Sequence, residues 1–476
     1  MEKVTLDPAI KFGAGRYRQE KNLLEECGKE ISRFGKRAFI IAGNRAWDAV
    51  KERMIPGFET VGLEYELHLY SGKCSYEAAR EYAEKCKAEN CDEVVGIGGG
   101  LVMDFAKAVG EYADTGVVNI PTSIATCAAF TTMSVMYTPE GAKKDCWRFE
   151  HEVDAVLVDL QVIAECPIRY AAAGILDAMA KKIEIQNGKP KMYLSENKID
   201  LFSAYKMAEY TYEVLVEYGA QAIEDIRHKR LTKAVEDITF INIAVTGVIA
   251  NITKSFSQSA LGHMMYDGVR TYFTKEAEHA LHGEIVAVAL FTQLYYNKLS
   301  EDKEALRLFM KGMDMPLTLQ ELGIEPTQKN LEILYLLEGS EDCYLGEEEC
   351  IRMKKGDFLV INSRVVHSVQ CPRQCKEMLI QIPYPMMKRF IPQIDGLEFV
   401  CEKITGRKHR MDTFMVERAL SALAELHPFR SPEETLEFYS RMYHLLAVLV
   451  KDFSVSVTSD KMEISEKYME RLGMIT

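Results

Sequence analysis

Between residues 38 and 159 the chain repeats one texture, a short run of β-branched and aliphatic residues followed by a longer stretch in which apolar residues recur every three or four positions. The runs are AFIIAG (38–43), ELHLY (66–70), EVVGIGGG (93–100), VVNIPT (117–122) and AVLVD (155–159), and SYEAAREYAEKCKAEN typifies what lies between. Strands joined through amphipathic helices need crossover connections, so the pattern predicts a parallel sheet and an α/β nucleotide-binding domain over residues 1–165. From Pro167 to about Gly312 strand signals give way to long helical stretches such as YAAAGILDAMAKKIEIQ, TFINIAVTGVIANIT and GEIVAVALFTQLYYNKL. Pro167 suits a helix start because its missing N–H would be unpaired there anyway. An all-helical domain is therefore expected over 166–326. Near Thr327 the texture changes again, to LEILYLLEGSEDCYLGEEECIRMKKGDFLVINSRVVHSVQ. Alternating apolar residues broken by EGS, LGEE, KKGD and NS predict short antiparallel strands over 327–386. FYSRMYHLLAVLVKDF then marks a helical tail over 387–476.

Composition narrows the class. A length of 476 residues exceeds one compact core. Hydrophobic residues at 47% and charged residues at 27% are ordinary globular usage, which excludes a collagen-like or disordered chain. No run of about 18 apolar residues occurs, and the opening MEKVTLDPAIKFGAGRYRQEK lacks the order of a secretory signal. The expectation is a cytoplasmic protein without a membrane partner. Twelve cysteines spread from Cys27 to Cys401 without a CxxC pair read as reduced thiols, and no disulfide is expected. A net charge of -13 argues against nucleic acid as a partner. The expected partners are a small-molecule substrate and further copies of the chain in a homo-oligomer.

Gly98, Gly99 and Gly100 stand between a buried strand and the helical segment LVMDFAKAVG. Glycine lets a backbone approach a pyrophosphate, and a helix N-terminus offers free N–H groups to its charge. Tight βα turns also use glycine for steric reasons, and the run is not GxGxxG. Asp104, one turn into the helix, either stabilises the helix dipole or faces a ligand. The small, hydroxyl-rich stretch PTSIATCAAFTTMSVMYT (121–138) suits the crevice at the carboxyl ends of the strands. Asp177 lies in an alanine-rich helix, where an unpaired buried carboxylate would be costly. It needs a cation there, or else it is exposed and paired with Lys181 at i+4. His263 and His282 both adjoin apolar helical faces. One carboxylate and two imidazoles on helices of one domain suit Zn²⁺ or Fe²⁺ with positions left open for substrate. His279, one turn before His282, is a neighbouring group, a proton carrier or polar surface rather than a ligand.

GGGxxxD after a strand, PT with a small-residue loop, GxxDAxAK, AxGH, and HGE before an apolar helix follow in that order, and together they resemble the iron-containing, or group III, alcohol dehydrogenases over about residues 1–325. Within that family the chain looks most like the glycerol dehydrogenase-like branch. The resemblance implies a dehydroquinate synthase-like fold, with an α/β nucleotide-binding domain and an all-helical metal-binding domain. It also implies a divalent metal ion, Zn²⁺ or Fe²⁺, held by the catalytic residues Asp177, His263 and His282. Gly98, Gly99 and Gly100 would carry the cofactor phosphates, and Asp104, Thr122, Thr131 and Tyr137 would line the cofactor and substrate cleft.

Glycerol dehydrogenases carry an Asp in the PT loop, whereas Cys127 stands at the matching position here. IATCAAFTTMSVMY instead looks like the hydroxycarboxylate dehydrogenases, which reduce small 2-oxo acids. Losing a carboxylate from the pocket removes a repulsion against an acidic substrate. Gly43, where NAD-preferring relatives often place an Asp, with Arg45 nearby, favours NADP over NAD. LEILYLLEGS and KKGDFLVINSRVVHSV resemble the cupin sensor half of AraC-type regulators, without the DNA-binding helices, so a partial cupin-like β-barrel and helical tail are expected after a helical domain that looks truncated. His367 is the one histidine there in a suitable turn, so a small-ligand pocket or a dimer contact is expected rather than a metal.

The expected function is hydride transfer between NADP or NAD and a small polar alcohol or carbonyl, in the first place a 2-hydroxy acid and its 2-oxo acid. No side chain stands out as general acid, and a water relay ending at His279 is one arrangement. Glycerol dehydrogenase activity is the alternative within enzymes. A catalytically impaired fusion acting as a ligand-binding sensor is the alternative outside them. A phosphate-eliminating synthase on the same scaffold would need several basic groups at the metal, where mainly Lys181 and Lys182 are on offer.

Overall fold

The computed structural model describes residues 10–253, 260–324, 330–345, 349–363, 365, 367–371, 375–404, 413–426 and 431–456. The chain divides into two compact units, Met1–Glu325 and Pro326–Thr476.

In the first unit the strands are β1 (Arg16–Glu20), β2 (Arg37–Ala42), β3 (Glu64–Leu69), β4 (Glu93–Gly98), β5 (Gly116–Pro121), the pair β6 (Met133–Tyr137) and β7 (Lys143–Arg148), and β8 (Ala155–Asp159). Six of them form one parallel sheet in the order β1-β8-β5-β4-β2-β3. The inner strands β4 and β8 are buried at every residue, which is why they read as continuous apolar runs. Helices α1 (Cys27–Ile31), α2 (Asn44–Val61), α3 (Tyr76–Ala88) and α4 (Gly100–Ala113) supply the connections, and α5 (Leu160–Ala164) follows β8. Two features were not expected. The polar strand β1 pairs at the sheet edge with β8, and its Arg16 and Arg18 both bond the Glu30 carboxylate. The end of the small-residue stretch, expected to be loop, is strand β6, antiparallel to β7.

Beyond Pro167 the same unit is helical, with α6 (Ile168–Ile185), α7 (Ile199–Arg227), α8 (Lys233–Phe240), a π-helical turn, α9 (Thr246–Thr253), α10 (Leu261–Tyr272), α11 (His282–Tyr296) and α12 (Lys303–Gly312). The stretch 233–253 is long and apolar enough to cross a membrane, but 67% of that window is buried inside the fold, as befits a core helix. Helix α6 is the centre of the bundle. Its Ala and Gly residues let neighbours come close, and a Cβ on Gly174 would stand 1.8 Å from the Ile124 carbonyl oxygen. Gly174 thereby seats the small-residue loop directly on α6.

The second unit holds β9 (Leu331–Glu338), β10 (Ser340–Leu345), β11 (Glu349–Lys354), β12 (Phe358–Ile361), β13 (His367–Gln370) and β14 (Lys376–Ile382), then α13 (Tyr384–Phe390), β15 (Leu397–Phe399), β16 (Glu402–Lys403), α14 (Phe414–Leu426), α15 (Pro432–Val448) and β17 (Ser454–Ser456). The strands make two antiparallel sheets, β11-β10-β13 and β14-β9-β12-β16, with β15 and β17 paired separately. The tail expected to be helical holds α14 and α15 and also returns three short strands. Its helices share one core with the β region: Ile333 and Phe358 pack in the same cluster as Leu420, Leu445 and Phe453. The Tyr335 hydroxyl also lies 2.9 Å from Ser421 Oγ. His367 is engaged by Glu332 at 3.0 Å. The expectation of no disulfide is also corrected, since Cys371 and Cys375 are joined, while ten other cysteines are free.

Candidate metal centre and cofactor cradle

Strand β4 ends at Gly98, whose φ of +154° disfavours an L side chain, and Gly99 caps α4 in extended conformation. A Cβ on Gly100 would come 2.8 Å from Thr126 Oγ1, whereas one on Gly99 would meet nothing within 4 Å. The turn is therefore packed on one side and open on the other. The open side exposes backbone at a 14-residue helix's N-terminus, the arrangement that receives a pyrophosphate. Thr122, at the end of the next strand, donates its N–H to the Gly98 carbonyl at 3.0 Å.

Asp104 and Thr131 face inward. The Asp104 carboxylate is 2.9 Å from Lys107 Nζ and accepts the Val135 N–H at 3.0 Å. Lys107 also donates to the carbonyls of Ala128 at 2.7 Å and Thr131 at 3.1 Å, and Thr131 Oγ1 lies 3.3 Å away. These groups form a buried polar knot that fixes the small-residue loop on α4. The Tyr137 hydroxyl lies 2.7 Å from that of Tyr266, and burial raises its pKa well above the phenol range.

Three chain segments bring Asp177, His263 and His282 together. Asp177 is midway along α6 and 3% exposed, His263 is in the first turn of α10, and His282 opens α11. His263 Nε2 and His282 Nε2 stand 3.5 and 3.4 Å from Asp177 Oδ1. All three candidate ligand atoms lie within 4.8 Å of one another. These separations exceed the usual length of an N–H···O bond. Two donors each about 2.1 Å from a tetrahedral ion stand about 3.4 Å apart, so the spacing matches ligands around a cation. Asp177 Oδ1 is buried without a hydrogen-bond donor, the orphan a divalent ion would satisfy. Donor set, spacing and orphaned oxygen all fit a divalent metal.

Glu184, two turns beyond Asp177 on α6, was missed in the sequence. Its carboxylate takes His263 Nδ1 at 2.8 Å and the His263 backbone N–H at 3.0 Å. This bond holds the ring with Nε2 turned to Asp177, as outer carboxylates do for metal-binding histidines. The available signal was the i+7 spacing from Asp177, which puts both carboxylates on one helix face. Burial opposes charge on His263, but Glu184 prevails and the imidazole is pushed up to about 9. His282 is lowered by burial, and the Tyr266 ring packs against it edge-on at 4.2 Å.

Lys181 completes the cluster, with Nζ 3.0 Å from His263 Nε2 and 3.8 Å from Asp177 Oδ1. The i+4 pairing weighed from the sequence is present, but Asp177 is buried rather than exposed. Although burial alone would raise it, Lys181 and then His282 hold the Asp177 carboxyl well below the usual range. Lys182 turns away, over the Tyr212 ring at 4.2 Å. Cys127 is buried in the electrostatic reach of Lys181 and Asp177, and burial pushes its thiol up to about 11, leaving it neutral. His279 is exposed and lies outside the cluster among the described residues; its carbonyl accepts Arg169 at 2.8 Å.

Comparison with known proteins gives the same architecture. Residues 14–160 match the family model described as iron-containing alcohol dehydrogenase. The chain is 31% identical over 316 residues to a glycerol dehydrogenase of Thermotoga maritima, covering 65% of this chain and 84% of that one. It is 29% identical over 292 residues to hydroxycarboxylate dehydrogenase A of Escherichia coli, covering 61% and 78%. Among solved structures, a probable glycerol dehydrogenase from Sinorhizobium meliloti 1021 aligns with a TM-score of 0.59 at 25% identity, covering 66% of this chain and 86% of that chain. The parallel six-stranded sheet, the helical bundle behind it and these matches agree: the chain belongs to the iron-containing alcohol dehydrogenase family.

Proposed function

We propose that this chain transfers hydride between a nicotinamide cofactor and a small 2-hydroxy acid or 2-oxo acid. A metal-dependent, NAD(P)-linked alcohol oxidoreductase follows from the family and its relatives. The acid preference is the finer claim, and one observation carries it. Lys181 brings an ammonium to the cluster of Asp177, His263 and His282, and Cys127 brings a neutral thiol where a carboxylate would repel an anion. A substrate carboxylate about 4 Å from that ammonium gains on the order of 4 kcal/mol before desolvation.

Asp177, His263 and His282 would hold the ion, and Glu184 would keep His263 in its binding orientation. When bound, the ion supplies Lewis acidity that polarises a carbonyl or lowers an alcohol's pKa. Gly99 and Gly100 present backbone N–H groups to the cofactor phosphates. Gly43 caps α2 without an acidic side chain, and Arg45 is exposed in its first turn, which supports NADP over NAD. We place this activity in the cytoplasm, in keeping with the many free cysteines. For the second unit, a cupin-like small-ligand module is our reading, supported by its two antiparallel sheets.

The test is oxidation of NADPH and NADH with 2-oxobutyrate, 2-oxoglutarate and glyceraldehyde, before and after chelation. Turnover abolished by a chelator, restored by Zn²⁺ or Fe²⁺ and faster with an oxo acid is expected. A higher kcat/KM for glyceraldehyde would overturn the acid preference. Cofactor binding without any turnover would overturn the enzyme and favour a sensor.

A further inference from the structure

A second cluster of metal-binding groups lies in the other unit, on the sheet β11-β10-β13 and its connection to β14. Asp342 pairs with Gln370 across β10 and β13, so one further step in register sets Glu341 opposite Cys371. Cys375 immediately precedes β14. The Glu341 carboxylate oxygens and both sulfurs include ligand atoms that all lie within 4.8 Å of one another.

Glu341 is the reason to look for a ligand here. It is fully buried at 0% exposure, its Oε1 has no hydrogen-bond partner, its Oε2 lies 3.9 Å from the Cys375 sulfur, and its polar neighbour is the Glu377 carboxyl group, with which it shares a hydrogen bond. A buried carboxylate whose polar neighbour is a second carboxylate must share a proton with it or take up a cation. Two carboxylates and two sulfurs thus converge with no Lys, Arg or His bonded to Glu341 among the described residues. Cys371 is exposed, which leaves the site an entrance.

We propose that, in the reduced protein, Glu341, Cys371 and Cys375 bind one Zn²⁺ ion. Two thiolates and a carboxylate form a donor set that excludes Mg²⁺ and Ca²⁺ and suits Zn²⁺, with a fourth position for water or Glu377. Thiolates about 2.3 Å from a tetrahedral ion stand about 3.8 Å apart. The Cα atoms of Cys371 and Cys375 are 6.2 Å apart, which side-chain rotation can match. The balance is simple. A phosphine with one water reduces the disulfide to two thiols and is itself oxidised to phosphine oxide. Zn²⁺ then displaces two protons from those thiols. The disulfide and the metal compete for the same sulfurs, so binding requires the reduced state. This site shares no residue with the dehydrogenase cluster and stands whatever substrate that cluster takes.

The experiment uses the full chain, stripped with a chelator, kept in a phosphine reductant and titrated with Co²⁺. A near-ultraviolet thiolate-to-cobalt charge-transfer band reports sulfur ligation, and Cys371→Ser and Cys375→Ser assign it to this site rather than to Cys127 or another free cysteine. The expected result is such a band in the wild type, bleached by Zn²⁺, retained in Asp177→Asn and lost in Cys375→Ser. Glu341→Gln should weaken Co²⁺ at this site at least about tenfold. No band in the reduced wild type, or a band that survives Cys371→Ser and Cys375→Ser, overturns the proposal. The two serine variants are separate, so the assignment stands on either one if the other fails to fold, and an absent wild-type band overturns the proposal by itself.

Discussion

Gly283 is the residue through which packing sets the metal-ligand distances. It follows His282 at the start of α11, and an added Cβ would stand 2.0 Å from the Ala173 carbonyl oxygen of α6. Ordinary contact begins at 3.4 Å, so Gly283→Ala must part the two helices locally by about 1.4 Å. Asp177 lies one turn along α6 from Ala173, and His282 Nε2 is 3.4 Å from its Oδ1. Metal–ligand bonds tolerate about 0.2 Å, so His282 is carried out of range. Overpacking should cost about 1–3 kcal/mol of stability. Loss of one of three ligands should weaken Zn²⁺ at least about 100-fold, or about 2.7 kcal/mol. Gly268→Ala is the control, because a Cβ there meets nothing within 4 Å and alanine stabilises a helix interior by about 0.5–1 kcal/mol. The assay is competition for Zn²⁺ against a chromophoric chelator, with thermal unfolding measured with and without the ion. Wild type and Gly268→Ala should gain Tm with Zn²⁺, and Gly283→Ala should not. Gly283→Ala with Zn²⁺ affinity within about threefold of wild type would refute the claim that this helix contact sets the ligand spacing.

Three further outcomes are expected. Glu184→Gln removes the charge that orients His263, so Zn²⁺ affinity should fall about 10- to 100-fold, and an unchanged affinity would mean that Glu184 does not position the ring. Lys181→Met should raise KM for 2-oxobutyrate at least about tenfold while changing that for glyceraldehyde little. Equal effects on both substrates would remove Lys181 from acid recognition. Glu93 is buried with both carboxylate oxygens unpartnered, and burial, then Asp92 and Asp154, push it up to about 8 from an ordinary 4.5. Between those values the folded chain holds a proton that the unfolded chain has lost, so stability falls as pH rises from 4.5 to 8. Glu93→Gln should therefore stabilise the protein at pH 8 by on the order of 2 kcal/mol and much less near pH 5, as urea unfolding at the two pH values would show. An equal gain at both would refute the assignment.

The sequence by itself determined whatever is written in local periodicity. The strand runs fall within two residues of β2, β3, β4, β5 and β8, and the change to helix comes at Pro167, because burial on both faces leaves continuous apolar runs and helix burial leaves a repeat of three or four. It also supplied the residue types of the metal cluster and the glycines before α4. Strand β1 was invisible because a polar edge strand carries no apolar stripe, its pairing being made by backbone. The same holds for β16, which exists because β12 leaves it a partner.

Tertiary structure alone decided which polar groups meet. Glu184 and His263 are 79 positions apart, and no spacing rule links them. Asp104 and Thr131 both bond Lys107, whose buried ammonium takes the nearest oxygens, a pairing that no local pattern announces. The pairing of Cys371 with Cys375 beside Glu341 depends on the register of β10 and β13. A side chain's partner follows from which surfaces pack, and packing is a sum over residues distant in sequence, so local pattern sets the elements while long-range contact sets their chemistry.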